Sequence, residues 1–314
     1  MSRSPLSVIL LCFAAIYVIW GTTFLGITLM LRTIPPYIGG MLRFLLAAGV
    51  LYAWLRTRTR RPFAGLPLAG TALCGVLLTG MGNGFIIWAQ TALPSGITAL
   101  FVGSLPVWIL LQNWWFFSHR PPRLLAVLGV AFGMAGIVVL SWHAESFAGA
   151  VRPIHVIAVL VAELAWGLGT LLQPRIIDAG RVAPFTCLQM LIGAGFQGLM
   201  ALLDREWLGF VPAHVSLQSI LALAYLVVFG SVIAFNCYAF LVARVAAQKI
   251  ATYALVNPVI ALALGALVLG ERITPAAVLS TVLVLVGVGL VLLARDRVAR
   301  PVGPPALAAA RRPL

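Results

Sequence analysis

Charge is what this sequence has least of. Only 9% of its 314 residues are charged, seven of them acidic, where a soluble globular chain carries about 25%. Cysteine is scarce as well. Cys12, Cys74, Cys187 and Cys237 each sit inside an apolar run, with neither the spacing of a metal site nor the short, loop-rich context of a disulfide framework. No metal and no cofactor is therefore expected. What is abundant is apolar surface: 62% of residues are hydrophobic and the mean hydropathy is +1.08. A soluble domain of this size could not hide so much, and disorder needs low hydrophobicity with high charge. A polytopic membrane protein remains.

The formal charge of +14 does not point to nucleic acid. Lys249 is the one lysine, and the arginines lie mostly in short loops, as topology signals do. The first apolar run, Pro5 to Leu31, is too long for the core of a signal peptide.

Ten apolar runs are punctuated by Pro, Gly and Arg, at about 6–30, 37–55, 66–89, 96–117, 124–142, 153–173, 184–203, 216–241, 250–269 and 276–294. Each is near the roughly 20 residues that a spanning helix needs. Runs such as Val278 to Ala294 are apolar on every face, which excludes the in-out alternation of a barrel strand. Sixteen basic residues fall on one side of this layout and four on the other, with Arg43 inside a span. The asymmetry places both termini in the cytoplasm. The Pro- and Ala-rich tail, 295–314, is expected to be disordered.

The chain also repeats itself. Trp20-Gly21 and Trp166-Gly167 stand 146 residues apart, as do Leu42-Arg43-Phe44 and Leu188-Gln189-Met190. Leu105-Pro106-Val107 matches Asn257-Pro258-Val259 at an offset of 152. Two repeats follow, 6–142 and 153–294. A unit of five helices is odd, so the second copy enters the membrane from the opposite side. The expected fold is an all-α polytopic membrane protein of ten transmembrane helices in two inverted five-helix repeats. Transporters built from inverted repeats bind substrate near the midplane, where the repeats meet.

Trp20-Gly-Thr-Thr-Phe24, Leu42-Arg43-Phe44, the midspan Pro-Val pairs and Leu269-Gly270-Glu271-Arg272 resemble the drug/metabolite transporter superfamily. The likeness is to its ten-helix EamA-type exporters and covers about residues 8–294. It implies an inner-membrane permease that exports small metabolites or drugs by alternating access, without naming a substrate. One departure is visible: Ser118-His119-Arg120 stands in the first repeat where the second has Gly270-Glu271-Arg272. Ala162-Glu163-Leu-Ala-Trp-Gly167 is also similar to the start of small multidrug resistance proteins, whose membrane carboxylate binds protons and cationic drugs by turns.

Arg43 and Glu163 are ionisable groups at membrane depth, where charge is costly and faces the bundle interior or water. A carboxyl group there can take up and release a proton, which suits a proton-coupled carrier. A structural ion pair between the two, or a protonated Glu163 bonded to a neighbour, would serve packing instead. Asn83, Gln189, Asn236 and Asn257 carry donors and acceptors that hydrocarbon cannot satisfy, and contact substrate or glue helices together. Gln189 is the repeat counterpart of Arg43. Pro106 and Pro258 are expected to interrupt spans four and nine, freeing the carbonyls of Val102 and Ala254 for a hinge or gate. Trp20, Trp88, Trp108 and Tyr253 lie deep in spans and line a pocket or fill a core.

An intramembrane enzyme acting on lipids is the rival class. It would need a metal or a nucleophile with its base, yet the sequence has no His-Glu-x-x-His, Gly-x-Ser-x-Gly or clustered Asp pair, so no catalysis is expected. A channel or scaffold subunit stays open. The expected partners are a small-molecule substrate, membrane lipid and coupling protons, with no nucleic acid; the oligomeric state is left open.

Overall fold

A computed structural model describes residues 6–93, 95–142, 153–177, 180–269 and 275–294. The Gly270-Glu271-Arg272 motif, Arg152 and the C-terminal tail lie outside them. The described residues form helices separated by short turns, at the places the apolar runs predict. The first half holds α1 (Leu6–Met30), α2 (Pro36–Arg58), α3 (Leu68–Ala89), a divided fourth helix α4a (Ser95–Val102) and α4b (Leu105–Gln112), and α5 (Leu124–Trp142). The second holds α6 (Pro153–Ile176), α7 (Val182–Leu203), α8 (Leu217–Val242), α9 (Thr252–Leu269) and α10 (Pro275–Leu293). Six of these, α1, α2, α3, α6, α7 and α8, are long and apolar enough to cross a membrane. The chain is an all-α polytopic membrane protein.

Chain chemistry sets the helix ends. Pro36, Pro153 and Pro275 open α2, α6 and α10, where a missing N–H costs no helical bond. Ser216 caps α8 by accepting from the Ser219 amide at 3.2 Å. Glu206, in the α7–α8 connection, caps α2 from a distance: its two oxygens accept from the amides of Tyr37 at 3.0 Å and Ile38 at 2.8 Å. Outward faces are apolar, with Leu11 70% exposed and Leu203 68%, a surface that only lipid would cover without cost.

The contacts between the halves come in matched pairs. Helix α1 packs on α8 and α9, and its counterpart α6 packs on α3 and α4b; α2 lies along α7, and α5 along α10. Glycine permits the tightest crossing. A Cβ on Gly287 of α10 would stand 2.5 Å from the Gly129 carbonyl oxygen of α5 and 2.6 Å from the Gly133 nitrogen. The Gly129–Gly133 spacing thus meets a helix of the same chain. Helices α3 and α8 each contain a wider π-helical stretch, Gly75–Gly82 and Leu226–Ile233, which the sequence did not foretell. Such stretches often mark functional sites.

Candidate functional site

A cavity between the halves lies next to the ends of both wide stretches: Asn83 directly follows the one in α3, and Phe235 comes two residues after the one in α8. Arg43 of α2, Asn83 of α3, Glu163 of α6 and Asn257 of α9 line it, together with Trp20 and Trp166. About 50 Å³ of it is open to water-sized molecules, room for a few waters and less than a metabolite needs.

Arg43 is 2% exposed and well held. Its Nε donates to Ser231 Oγ at 2.9 Å, its Nη2 to the Gly230 carbonyl at 3.3 Å and its Nη1 to Asn83 Oδ1 at 3.4 Å. Gly230 and Ser231 belong to the wide stretch of α8. The same Gly230 carbonyl accepts from Trp20 Nε1 at 3.1 Å. A side chain at Gly230 would crowd this approach, because its Cβ would lie 3.1 Å from Arg43 Nη2.

Glu163 is the opposite case. It is 1% exposed, and its Oε2 has no hydrogen-bond partner. Among the described residues no ion pair joins it to Arg43, so the structural pair weighed from the sequence does not form. Asn257, also 1% exposed, leaves its Oδ1 without a partner. Two buried acceptors therefore stand unsatisfied around one cavity, where an orphaned polar group costs about 1–3 kcal/mol. A proton, a water or a ligand donor would satisfy them.

Aromatic rings close the wall. Trp20 and Trp166 meet edge to face at 5.5 Å, and Trp20 stands 4.7 Å from Tyr253. Phe235 packs on both tryptophans at 5.4 and 5.7 Å. Behind them, Tyr238 bonds the Thr170 hydroxyl. Trp166, Phe235 and Thr23, which also line the cavity, were not among the residues singled out from the sequence. Trp166 was within reach there as the counterpart of Trp20; Phe235 carries no such signal.

Other expected site residues lie elsewhere. Gln189 is buried away from the cavity, its Oε1 accepting from Gln173 Nε2 at 3.1 Å and its carbonyl from Thr79 Oγ1 at 3.0 Å. Asn236 donates to the Val232 carbonyl of its own helix at 2.7 Å. Trp88 stacks on His155 at 4.3 Å, and Trp108 Nε1 donates to Ser104 Oγ at 3.1 Å. None of these four borders the cavity. The two prolines also part company. The fourth helix does break, at Gly103–Ser104, and Pro106 sits in the first turn of α4b. In contrast, α9 runs on through Pro258, so the expected interruption there does not occur. A helix held by neighbours on several sides tolerates an internal proline.

The fold and this cavity define a class, that of multi-helix membrane transporters with a polar centre between two halves. The comparisons agree. The model of the EamA-like transporter family matches residues 6–142 and again 153–293, and the chain belongs to that family. It is 32% identical over 283 residues to the "Uncharacterized inner membrane transporter YedA" of Escherichia coli K12, covering 90% of this chain and 89% of that one. A "Probable amino-acid metabolite efflux pump" of Salmonella typhimurium is 25% identical, covering 87% of this chain and 90% of that protein. One solved crystal structure superposes with a TM-score of 0.72 over 91% of this chain and 96% of that one, at 20% identity. That last likeness concerns the fold alone.

Proposed function

We propose that this transporter is a secondary active exporter of small metabolites or drugs, amino-acid-like or amphipathic, that works by alternating access and is coupled to protons through Glu163. Ten spans in two inverted repeats, with both termini on the cytoplasmic side of the inner membrane, form the frame of this reading. The matched helix contacts between the halves support that frame, and the sixteen-to-four distribution of basic residues supports the orientation. The efflux that the name of the Salmonella typhimurium relative states supports the direction.

The observation that carries the proposal is the unpartnered carboxyl of Glu163 in the cavity between the halves. Gln has nearly the same shape without the cost of ionisation, so packing alone gives little reason for Glu. A proton and a substrate donor that compete for the same oxygen bind in turn, and proton entry then drives substrate exit. Arg43, Asn83 and Asn257 shape the rest of the site, and the tryptophans offer flat apolar walls. Opening of the halves supplies the volume that the closed cavity lacks.

The test begins with growth of an overexpressing strain on a panel of toxic amino acids, nucleosides and drugs. A compound that the strain resists is then used with reconstituted protein under an acid-outside gradient. Glu163→Gln is expected to fold, to allow exchange without a gradient, and to lose uphill transport. Wild-type accumulation by Glu163→Gln overturns the coupling role.

A further inference from the structure

A second chamber, of about 520 Å³, opens beside the turn between α1 and α2, within the range of small-molecule sites. Thr28, Arg32, Thr33, Gln90 and Thr91 form its polar wall. It lies one side-chain layer from the central cavity. Ile27, next to Thr28 on α1, and Ile86, one turn before Gln90 on α3, both line that inner space. Thr28 Oγ1 bonds Gln90 Oε1 at 3.2 Å across the layer.

The chemistry of this wall is one-sided. Arg32 is its charged residue, and its Nη1 donates to a neutral partner, Gln218 Oε1, at 2.5 Å. Its charge is therefore left uncompensated by any ion pair among the described residues. Gln90 is 7% exposed, and its Nε2 has no partner. The Thr91 hydroxyl is spent on the Trp88 carbonyl. The acid of the adjoining loop, Glu206, is turned to the amides of Tyr37 and Ile38. Among the described residues, what the chamber offers an anion is the exposed Arg32 guanidinium, only one of whose donors is spent on Gln218, with the unpartnered Gln90 amide buried just beneath the surface.

We infer that this chamber is an anion-accepting vestibule on the extracytoplasmic side, where Arg32 and Gln90 take the carboxylate of a small substrate passing to or from the central cavity. The chamber's side of the membrane rests on the orientation given under Proposed function; its preference for anions does not. The Thr28–Gln90 bond closes the layer between the two spaces.

Charged thiol reagents read both features. In full-length protein with the four native cysteines replaced by Ala, Thr91→Cys is exposed to an anionic sulfonatoethyl and a cationic trimethylammonioethyl methanethiosulfonate, added outside intact cells. The anionic reagent is expected to gain, and in Arg32→Gln its rate should fall about five-fold, the size of a single close charge in water, so that the ratio of the two rates falls further still. Arg32→Lys should keep the ratio and serves as the folding control. At Ile27→Cys, slow labelling should speed up several-fold when Gln90→Leu removes the bond across the layer. Equal ratios with and without Arg32 overturn the anion preference and leave the orientation standing. Labelling from the cytoplasmic side alone overturns the orientation, and the extracytoplasmic placement with it, whatever the ratio.

Discussion

Trp20 and Trp166 hold matched places in the two halves of the chain, and their rings meet edge to face at 5.5 Å with 83° between the planes. Chance likeness among helices rich in Leu, Gly and Ala gives no reason for matched residues to touch. An arrangement of two halves about a shared axis does. The pair sits on the wall of the central cavity, so the seam and the site coincide. An edge-to-face pair contributes about 0.5–1.5 kcal/mol beyond the area it buries, enough to help hold the seam shut. Arg43 and Gln189 break the correspondence: one reaches into the cavity and the other is bonded to Gln173 outside it.

The absence of an ion pair between Arg43 and Glu163 among the described residues predicts weak coupling. Arg43→Ala leaves Ser231 and Asn83 without their donor, while the Gly230 carbonyl keeps Trp20, and should cost about 1–3 kcal/mol for each group left buried and unsatisfied. Arg43→Gln and Glu163→Gln, combined, should add to within about 0.5 kcal/mol in denaturation from detergent. A coupling of more than about 1 kcal/mol would mean that the two side chains act as a pair after all.

The crossing of α5 and α10 depends on Gly287. Because its absent Cβ would meet backbone of Gly129 and Gly133 at 2.5–2.6 Å, neither neighbour can step aside by a rotamer change. Gly287→Ala is expected to destabilise the protein by about 1–3 kcal/mol through overpacking. Gly289, two residues on, has open space around its position, so Gly289→Ala is the matched control. Equal melting temperatures for the two variants would show that the helices are further apart than described.

Glu206 joins the halves by capping α2 from the α7–α8 connection, and this end of the molecule should respond to pH. Burial, the largest influence, holds its carboxyl above the ordinary range; the amides of Tyr37 and Ile38 pull it down, and Asp204 adds to the rise. The folded chain then binds this proton more tightly than the unfolded chain does. Its stabilising contribution is present below the ordinary value of about 4.3 and is lost as pH climbs through the raised value. Glu206→Gln should flatten that part of the stability curve, whereas Glu206→Ala should cost about 1 kcal/mol as a lost cap. Melting in detergent between about pH 4 and pH 7 checks both, and an unchanged slope in Glu206→Gln refutes the assignment.

The places of the helices were legible because long apolar runs and Pro, Gly and Arg punctuation act locally. Glu163, Arg43, Asn83 and Asn257 were legible because polar groups at membrane depth are conspicuous. The sequence could not tell which of several such groups share a cavity. Asn236 looks like Asn257, yet it satisfies itself on its own helix. Nor did it mark the wide stretches of α3 and α8. A π-helical turn carries no special residue type, and the carbonyl of Gly230 that anchors Arg43 and Trp20 is the same backbone group in any residue.

The two prolines, alike in sequence, should differ in use. Pro106 lies in the first turn of α4b, just past the break at Gly103–Ser104, and Val102 on the other side of that break lines the central cavity. Ala at 106 restores an N–H that can bond the Val102 carbonyl and join α4a to α4b as one straight helix. That would shift Val102 and stiffen the wall that has to move when the cavity opens. Pro258 sits inside an α9 that runs on through it unbroken; Ala there adds back one helical bond to Ala254 and alters no break. Pro106→Ala is therefore expected to lower transport at least ten-fold while its melting temperature holds or rises. Pro258→Ala should gain stability, by up to the roughly 3 kcal/mol that an internal proline costs a helix, and keep most of its transport. Transport rates in vesicles, set beside melting curves of the same preparations, decide the matter. Equal losses from the two substitutions would mean that α9 bends at Pro258 during the cycle as the fourth helix does at Pro106. Equal retention would mean that the break at Gly103–Ser104 is a resting shape and not a hinge.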